Sequence, residues 1–321
     1  MSIRKLTYTD NETYESLLTD SGTIFNEQKW LTLYDNLIEH YGIFDKDNKL
    51  IGAFYLYRSI KFGITYYITP PYTPHIGLIY KHKASNKANA LTYDKTIISE
   101  IANFINILPC SFLTIAFPFT VIDLQPFIWK KFNVTPNYTY HLDLNLSESE
   151  LIENMSSDKR NSLKKAEKDS LKTIQVNDYK IVEQLVLKTF SRKKKSVDSQ
   201  FVNKILTTFA NEQNSFAFVS YNNDKPICAA FCIIDTHTCY YLLGGYDNDN
   251  KHQAAGVCVI WQCILHAKQK KLKTFDFEGS MLPEVEKYFR GFGANLIPYY
   301  RVSKAKLAVD LALRFIKKKS L

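Results

Sequence analysis

Residues 238–279 read TCYYLLGGYDNDNKHQAAGVCVIWQCILHAKQKKLKTFDFEG. They spell a strand, a helix and a second strand in succession. The opening TCYYLLGGY is rich in aromatic residues and spells a strand over 238–246 that ends in Gly244-Gly245. Residues 253–270 place Ile260, Ile264 and Ala267 on one face of a helix. Residues 273–278 form a short strand, with Phe275 and Phe277 on one side and Asp276 and Glu278 on the other. Upstream, strands at 215–221 and 226–235 flank the turn Asn222-Asn223-Asp224-Lys225. Helical patterns precede them near 157–170, 179–191 and 198–213, and Ser147-Glu148-Ser149-Glu150 spells a capping box. Downstream, Pro283 opens a short helix to Arg290, and a strand follows at 297–303.

The first half repeats this order. A helix near 27–40 leads to strands 41–44 and 49–59 around Asp45-Lys46-Asp47-Asn48. Then come strand 61–69, helix 87–107, strand 112–117, short helix 123–131 and strand 138–144. The two short helices end alike, in Trp129-Lys130-Lys131-Phe132 and Phe289-Arg290-Gly291-Phe292. The expectation is an α+β protein of two similar domains, 1–145 and 146–302, each a mixed, mostly antiparallel sheet flanked by helices. Residues 303–316 read as one more helix, with a narrow polar stripe at Lys306, Asp310 and Arg314 and a wide apolar face that predicts docking.

Composition bounds the function. The chain has 321 residues, 45% hydrophobic and 23% charged, which excludes global disorder. Its charge is 41 − 32 = +9, which suggests an anionic partner. The excess is local: residues 158–195 hold twelve Lys/Arg against five Asp/Glu, and residues 301–321 hold seven against one. The opening MSIRKLTYTDNETY has no apolar h-region, and the apolar run 112–122 is short and broken by Pro118, so neither a signal peptide nor a membrane span is expected. Six cysteines form no Cys-x-x-Cys and no zinc-finger spacing. Reduced thiols in a cytoplasmic protein without a metal are expected. No HExxH, P-loop, dinucleotide fingerprint or nucleophile elbow occurs, which leaves direct attack in a ternary complex as the default mechanism.

These residues resemble the FemAB-like branch of the GNAT N-acyltransferase superfamily. In the second half the likeness is carried by Tyr240–Gly245, by Phe275–Ser280, and by Pro283, Val285, Phe289-Arg290, Phe292-Gly293 and Pro298-Tyr299. In the first half it is carried by Phe25 with Trp30, by Pro70-Pro71-Tyr72-Thr73-Pro74 with Gly77, by Trp129, and by Pro136–Tyr140 followed by Leu142-Asp143-Leu144. The resemblance implies tandem GNAT-like domains. It also implies transfer of an acyl or aminoacyl group to an amine, here of a cell-envelope precursor or surface sugar. Acyl-CoA and aminoacyl-tRNA stay open as donors, with no tightly bound cofactor. It further suggests that the tail 303–321 returns to the first domain; contact of the basic tail with a membrane surface is the second reading.

The site residues follow. Gln253-Ala254-Ala255-Gly256-Val257-Cys258 is similar to the GNAT pyrophosphate segment, where helix-start N–H groups meet phosphate; it reads equally as an ordinary helix start. With Gly244, Gly245, Gln253, Gly256 and Phe289 it forms the expected donor site. Asp276 or Glu278 is the candidate base for an amine that arrives protonated, or a brace for the loop after it. Arg290 stands where the family carries Lys and is a candidate for the developing oxyanion, or a solvated helix-end cation. Arg192 is a candidate grip on a nucleotide-sugar diphosphate, and Tyr72, His75 and Tyr140 are acceptor candidates. Two other classes remain: a binding module without catalysis, holding a nucleotide-sugar or RNA, and nonspecific nucleic-acid binding by charge.

Overall fold

The computed structural model describes all residues except 62, 82–85, 193–197, 280, 307–308 and 310–321, together with the Arg192 side chain. The chain divides into two compact units. The first comprises Met1–Asn137 and the residues from Pro298 onward, and the second comprises Tyr138–Ile297.

The first unit opens with β1 (Ser2–Lys5), α1 (Asn11–Ser21) and the single turn α2 (Gln28–Leu31). Strands β2 (Ile38–Phe44), β3 (Leu50–Lys61), β4 (Ile64–Ile68) and β5 (Ile79–Tyr80) follow. Then come α3 (Lys87–Asn106), β6 (Phe112–Ala116), α4 (Gln125–Trp129) and β7 (Asn133–Asp143). The sheet order is β1-β2-β3-β4-β6, with β5 beside β3. Strands β4 and β6 are parallel, with Tyr66 opposite Phe112. Ile97, Ile98, Ile101 and Ile105 on one face of α3 pack with Phe54, Ile115, Phe117 and Phe127. Tyr14 and Leu17 of α1 pack with Phe44, Leu50 and Ile79.

The second unit continues with α5 (Glu148–Asn154), α6 (Ser157–Lys168), β8 (Lys172–Val176), α7 (Lys180–Arg192) and α8 (Ser199–Lys204). Strands β9 (Ser215–Asn222), β10 (Lys225–Ile234) and β11 (Thr238–Tyr246) lead to α9 (Ala255–Gln269), β12 (Thr274–Asp276), α10 (Pro283–Arg290) and β13 (Asn295–Ala305). The order β8-β9-β10-β11-β12-β7 is antiparallel except for the parallel pair β11–β12. Apolar residues of α9, among them Ile260, Trp261, Ile264 and Ala267, share a core with Phe275, Phe277, Phe289 and Phe292. Both units are thus mixed sheets flanked by helices, as the sequence suggested.

The strand that closes each sheet is notable. Residues 301–305 of β13 pair with β6 of the first unit, while residues 141–143 of β7 pair with β12 of the second.

Local chemistry explains the agreement and its exceptions. Ser147 caps α5 through the expected reciprocal box with Glu150. Asn223 and Asp224 take positive φ in the β9–β10 turn, a conformation short polar side chains tolerate. The expected helix at 27–40 is a single turn followed by a 3₁₀ segment broken at Asp35 (φ 53°), and the chain is already strand at Ile38. The expected helix at 198–213 stops early, with a π turn over Ile205–Phe209. Of the expected helix at 303–316, residues 303–305 are strand because they complete the ladder with β6. Lys306 continues it through Ser111, and all but Val309 of the remainder lies outside the described residues. All six cysteines are unpaired thiols, five of them buried. Among the described residues no helix is long and apolar enough to cross a membrane, and no cluster of His, Cys, Asp and Glu could hold a metal.

Candidate functional site

Strands β11 and β12 run parallel only over three residues, Thr238–Tyr240 against Thr274–Asp276. Beyond that they part. On β11, Phe231 faces Leu243 and Cys232 faces Tyr241, so Leu242 is an extra residue, a β-bulge that takes its backbone groups out of the regular ladder with β10. On the other side, Phe277 bonds back to Tyr140, and then Glu278 (φ 57°) and Gly279 (φ 60°) turn the chain. A side chain at Gly279 would strike the Tyr138 carbonyl, so only glycine fits.

The carboxylates gather at this divergence. Asp276 is buried and accepts bonds on both oxygens. Thr139 Oγ1 donates at 2.5 Å and the Glu278 backbone N–H at 2.9 Å to Oδ1, while His141 Nε2 lies 3.0 Å from Oδ2. Asp276 is therefore tied into the sheet and braces the turn. Glu278 is different: its Oε1 is sealed from solvent and has no hydrogen-bond partner among the described residues. Burial, reinforced by the Asp276 charge, raises the Glu278 carboxyl well above the usual carboxylate range. A buried, unpaired oxygen of high proton affinity suits a base more than a strut.

Two tyrosines face the glycines of the expected donor segment. A Cβ added at Gly244 would meet the Tyr241 hydroxyl, and one at Gly256 would lie 2.8 Å from the Tyr288 hydroxyl. Neither hydroxyl has a hydrogen-bond partner among the described residues, and burial raises both pKa values well above 10. Gly245 lies against the α7 backbone, where a Cβ would be 2.6 Å from Leu185 C and Val186 N. Helix α9 starts at Ala255 with no side-chain cap from its N-cap residue Ala254, and His252 accepts from the N–H groups of Ala254 (at Nδ1) and Ala255 (at its carbonyl) just before Gly256.

Residues 182–290 match the Acetyltransferase (GNAT) domain family. FemX is 13% identical in a crystal structure with a TM-score of 0.66, and the match covers 94% of this chain and 97% of that one. A tandem GNAT protein from the clavulanic acid biosynthesis pathway is 8% identical (TM-score 0.56, covering 95% and 98%), and L-PGS from Bacillus licheniformis is 7% identical (0.52, covering 96% and 96%). No curated protein matches the chain. The chain has the tandem GNAT, FemAB-like fold.

Within this fold the predicted residues separate into groups. Asp276 and Glu278 meet, but not as successive residues of one strand: β12 ends at Asp276, and the left-handed turn places Glu278. Tyr140 donates to Glu286 Oε1 at 2.5 Å, and Arg290 Nε lies 2.9 Å from the same oxygen. Burial, with the Glu286 bond, pushes the Tyr140 pKa up to about 12. Arg290 is largely exposed at the end of α10. Phe289, expected at the donor, is core, packed edge-on to Tyr241 and tilted against Phe277. Gln253 is exposed in the turn before α9. Arg192 ends α7. Tyr72 (φ 56°) and His75 lie in the first unit, in a loop where Trp30 Nε1 and the Tyr34 hydroxyl both bond Thr73. His75 Nδ1 accepts from the Gly77 N–H.

Sequence reading missed Thr139 and His141, Tyr241 and Tyr288, Glu286, and Lys159. Lys159 is 6% exposed. Its ammonium sits 3.1 Å from the Tyr288 ring centroid and 4.5 Å from that of Phe292, with no carboxylate partner among the described residues. Burial pushes its pKa down to about 7. A signal existed: Lys159, Leu163 and Ala166 share one face of α6, so the lysine occupies an apolar-face position.

Proposed function

We propose that the second unit is an N-acyltransferase that moves an acyl group from a carrier to an amine by direct attack, with Glu278 as the base. The observation that carries this reading is the sealed Glu278 Oε1, which has no hydrogen-bond partner among the described residues, at the point where β11 and β12 part. The amine arrives as an ammonium and gives a proton to the Glu278 carboxylate, whose raised proton affinity favours the transfer. The neutral nitrogen attacks the acyl carbonyl and forms the new C–N bond. The backbone N–H released by the Leu242 bulge is a donor for the oxygen that becomes negative. Collapse of the intermediate breaks the bond to the carrier, which leaves with a proton. Asp276, held by Thr139 and His141, keeps the turn in place.

The donor most consistent with this site is acyl-CoA. The uncapped start of α9 beside Gly256 suits a pyrophosphate, and the Tyr241 and Tyr288 hydroxyls are available to the polar groups of an extended arm. Aminoacyl-tRNA is the second reading, favoured by the basic stretch 158–195 that includes α6. For the acceptor we propose an amine of a cell-envelope precursor or surface sugar.

The test is labelling of an envelope-precursor extract by the intact protein with radiolabelled acetyl-CoA in one arm and charged tRNA in the other. Label from acetyl-CoA that disappears with Glu278→Gln is the expected result. Label from charged tRNA alone selects the second donor. Tight acetyl-CoA binding without turnover from either donor makes the protein a binding module and refutes the proposal.

A further inference from the structure

The first unit carries an apolar surface that the proposed chemistry does not use. Trp129 at the end of α4 is 64% exposed and Ile122 is 73% exposed, and Ile128 and Phe119 are also exposed. Single exposed apolar side chains are ordinary, but four within residues 119–129 form a concentrated set. Their neighbours Val121, Leu124 and Phe127 are buried in the core, which fixes the segment so that the others face outward.

The charges around this segment are mostly cations. Lys95 lies over the Trp129 ring at 5.2 Å and neutralises Asp123 at 2.9 Å. Lys130 and Lys131 follow α4 directly. Lys304 reaches the Lys130 carbonyl at 2.9 Å, which puts a further ammonium at the end of the helix. A shallow groove of about 420 Å³ continues from Lys130 to Ile3, Phe104 and the exposed Ile107, with Glu100 on its wall. Lys95, Lys130, Lys131 and Lys304 against Asp123 and Glu100 give 4 − 2 = +2 around the apolar set.

We infer that this α4 face docks on an anionic phospholipid surface. A tryptophan is the side chain best suited to the headgroup boundary, because its ring is apolar and its N–H is polar. Isoleucines beside it enter the acyl boundary, and lysines keep their ammonium groups at the phosphates while their stems lie along the apolar patch. Charge complementarity selects lipid of net negative charge over a neutral bilayer. The inference is independent of the acyl-transfer reading, since binding needs neither donor nor base.

The protein supplies its own probe. Of its three tryptophans, Trp30 and Trp261 are buried and Trp129 alone is exposed. Mixing the full chain with vesicles of 30% phosphatidylglycerol and 70% phosphatidylcholine is expected to shift tryptophan emission to the blue and to co-sediment the protein. Pure phosphatidylcholine vesicles are expected to bind about tenfold less or weaker still. Trp129→Ala, which removes a surface side chain and leaves the fold intact by circular dichroism, is expected to remove the shift and lower partitioning by about tenfold. Lys131→Gln is expected to lower it about fivefold, the effect of one cation near an anionic surface. Failure to bind the anionic vesicles overturns the inference. So does binding without a Trp129 shift, which places the contact elsewhere, for instance on the basic tail. A blue shift that grows with protein concentration in the absence of lipid also overturns it, because the face is then a protein contact.

Discussion

The two units share a path of strand, helix, parallel strand, short helix and closing strand, yet they differ at each position where chemistry could occur. At the end of the second parallel strand, the first unit has Ile115, Ala116 and Phe117, all fully buried, followed by Pro118. The second unit has Asp276 and Glu278, whose buried Oε1 has no hydrogen-bond partner among the described residues. Helix α3 is closed by Asn86, whose side chain accepts from the Asn89 N–H, whereas α9 has no side-chain cap. The matching aromatic residues invert: Phe289 is buried in the second unit, and Trp129 is exposed in the first. Each unit buries two side-chain atoms without a hydrogen-bond partner among the described residues, on His40 and Tyr93 in the first and on His266 and Glu278 in the second, but of these four groups only Glu278 is a carboxylate.

The largest expected effect breaks this contrast at the strand end. Glu278→Gln removes the base and is expected to lower kcat about 10²- to 10⁴-fold with little change in donor binding. In the parent, activity should rise with pH as the carboxyl ionises above the usual carboxylate range, and that limb should vanish in the variant. Stability should move the other way. A carboxyl whose pKa is raised on folding contributes stability that is full at low pH and is lost as pH rises through its folded pKa. Glu278→Gln should thus melt higher than the parent, most clearly at alkaline pH. A variant of full activity returns Glu278 to a merely structural role.

The second test uses the inverted aromatics. Phe289→Ala removes a ring packed on Phe277, Tyr241 and Tyr288 and is expected to cost about 3–5 kcal/mol in urea unfolding. Trp129→Ala should change stability by no more than about 0.5 kcal/mol, because its ring is mostly in solvent. Equal losses would mean that the two short helices are packed alike.

The sequence made the second unit more legible than the first, for physical reasons. The boundaries of β11 and α10 follow from aromatic density, Gly244-Gly245 and Pro283. The edge strand β8, Lys-Thr-Ile-Gln-Val, has little apolar content and gave no strand signal. Residues 27–40 look helical because Trp30 and Tyr34 are four apart, but both are used to hold Thr73, and the chain breaks at Asp35. At the site, two carboxylates in an otherwise apolar segment stood out. Their partners Thr139 and His141 did not, because they are 137 and 135 residues away and are brought near only by the register of β7 with β12. The exchange of closing strands was illegible for the same reason: β7 and β13 are interchangeable as local sequence.

A third effect belongs to Lys159. Its pKa is near 7 in the folded state against about 10.4 when unfolded. A cation whose pKa is depressed on folding destabilises the fold fully below the folded value and ceases to do so above the unfolded one. Lys159→Met should therefore gain about 2–4 kcal/mol over the parent at pH 6, a gain that disappears toward pH 10. The attraction of the Tyr288 ring for the ammonium opposes this gain and sets its lower end. A gain independent of pH would show that Lys159 is charged equally in both states.

The smallest effect concerns Arg290, the last residue of α10, which aligns with Lys130 directly after α4. Its contact with Glu286 is an exposed i,i+4 pair, so Arg290→Ala should cost only about 0.3–0.5 kcal/mol and less at high salt. Because the stability change is small, any loss of kcat reads directly on chemistry. Glu286 Oε1 accepts from both Tyr140 and Arg290, and removing the arginine leaves the tyrosine bond in place. If Arg290 stabilises the oxyanion, Arg290→Ala lowers kcat at least tenfold while Arg290→Lys retains most of it, since either cation can face a negative oxygen. If it only orders Glu286, both variants leave kcat within about twofold. Lys130→Ala, at the matching position of the first unit, should leave kcat unchanged in either case, which confines the chemistry to the second copy of the fold.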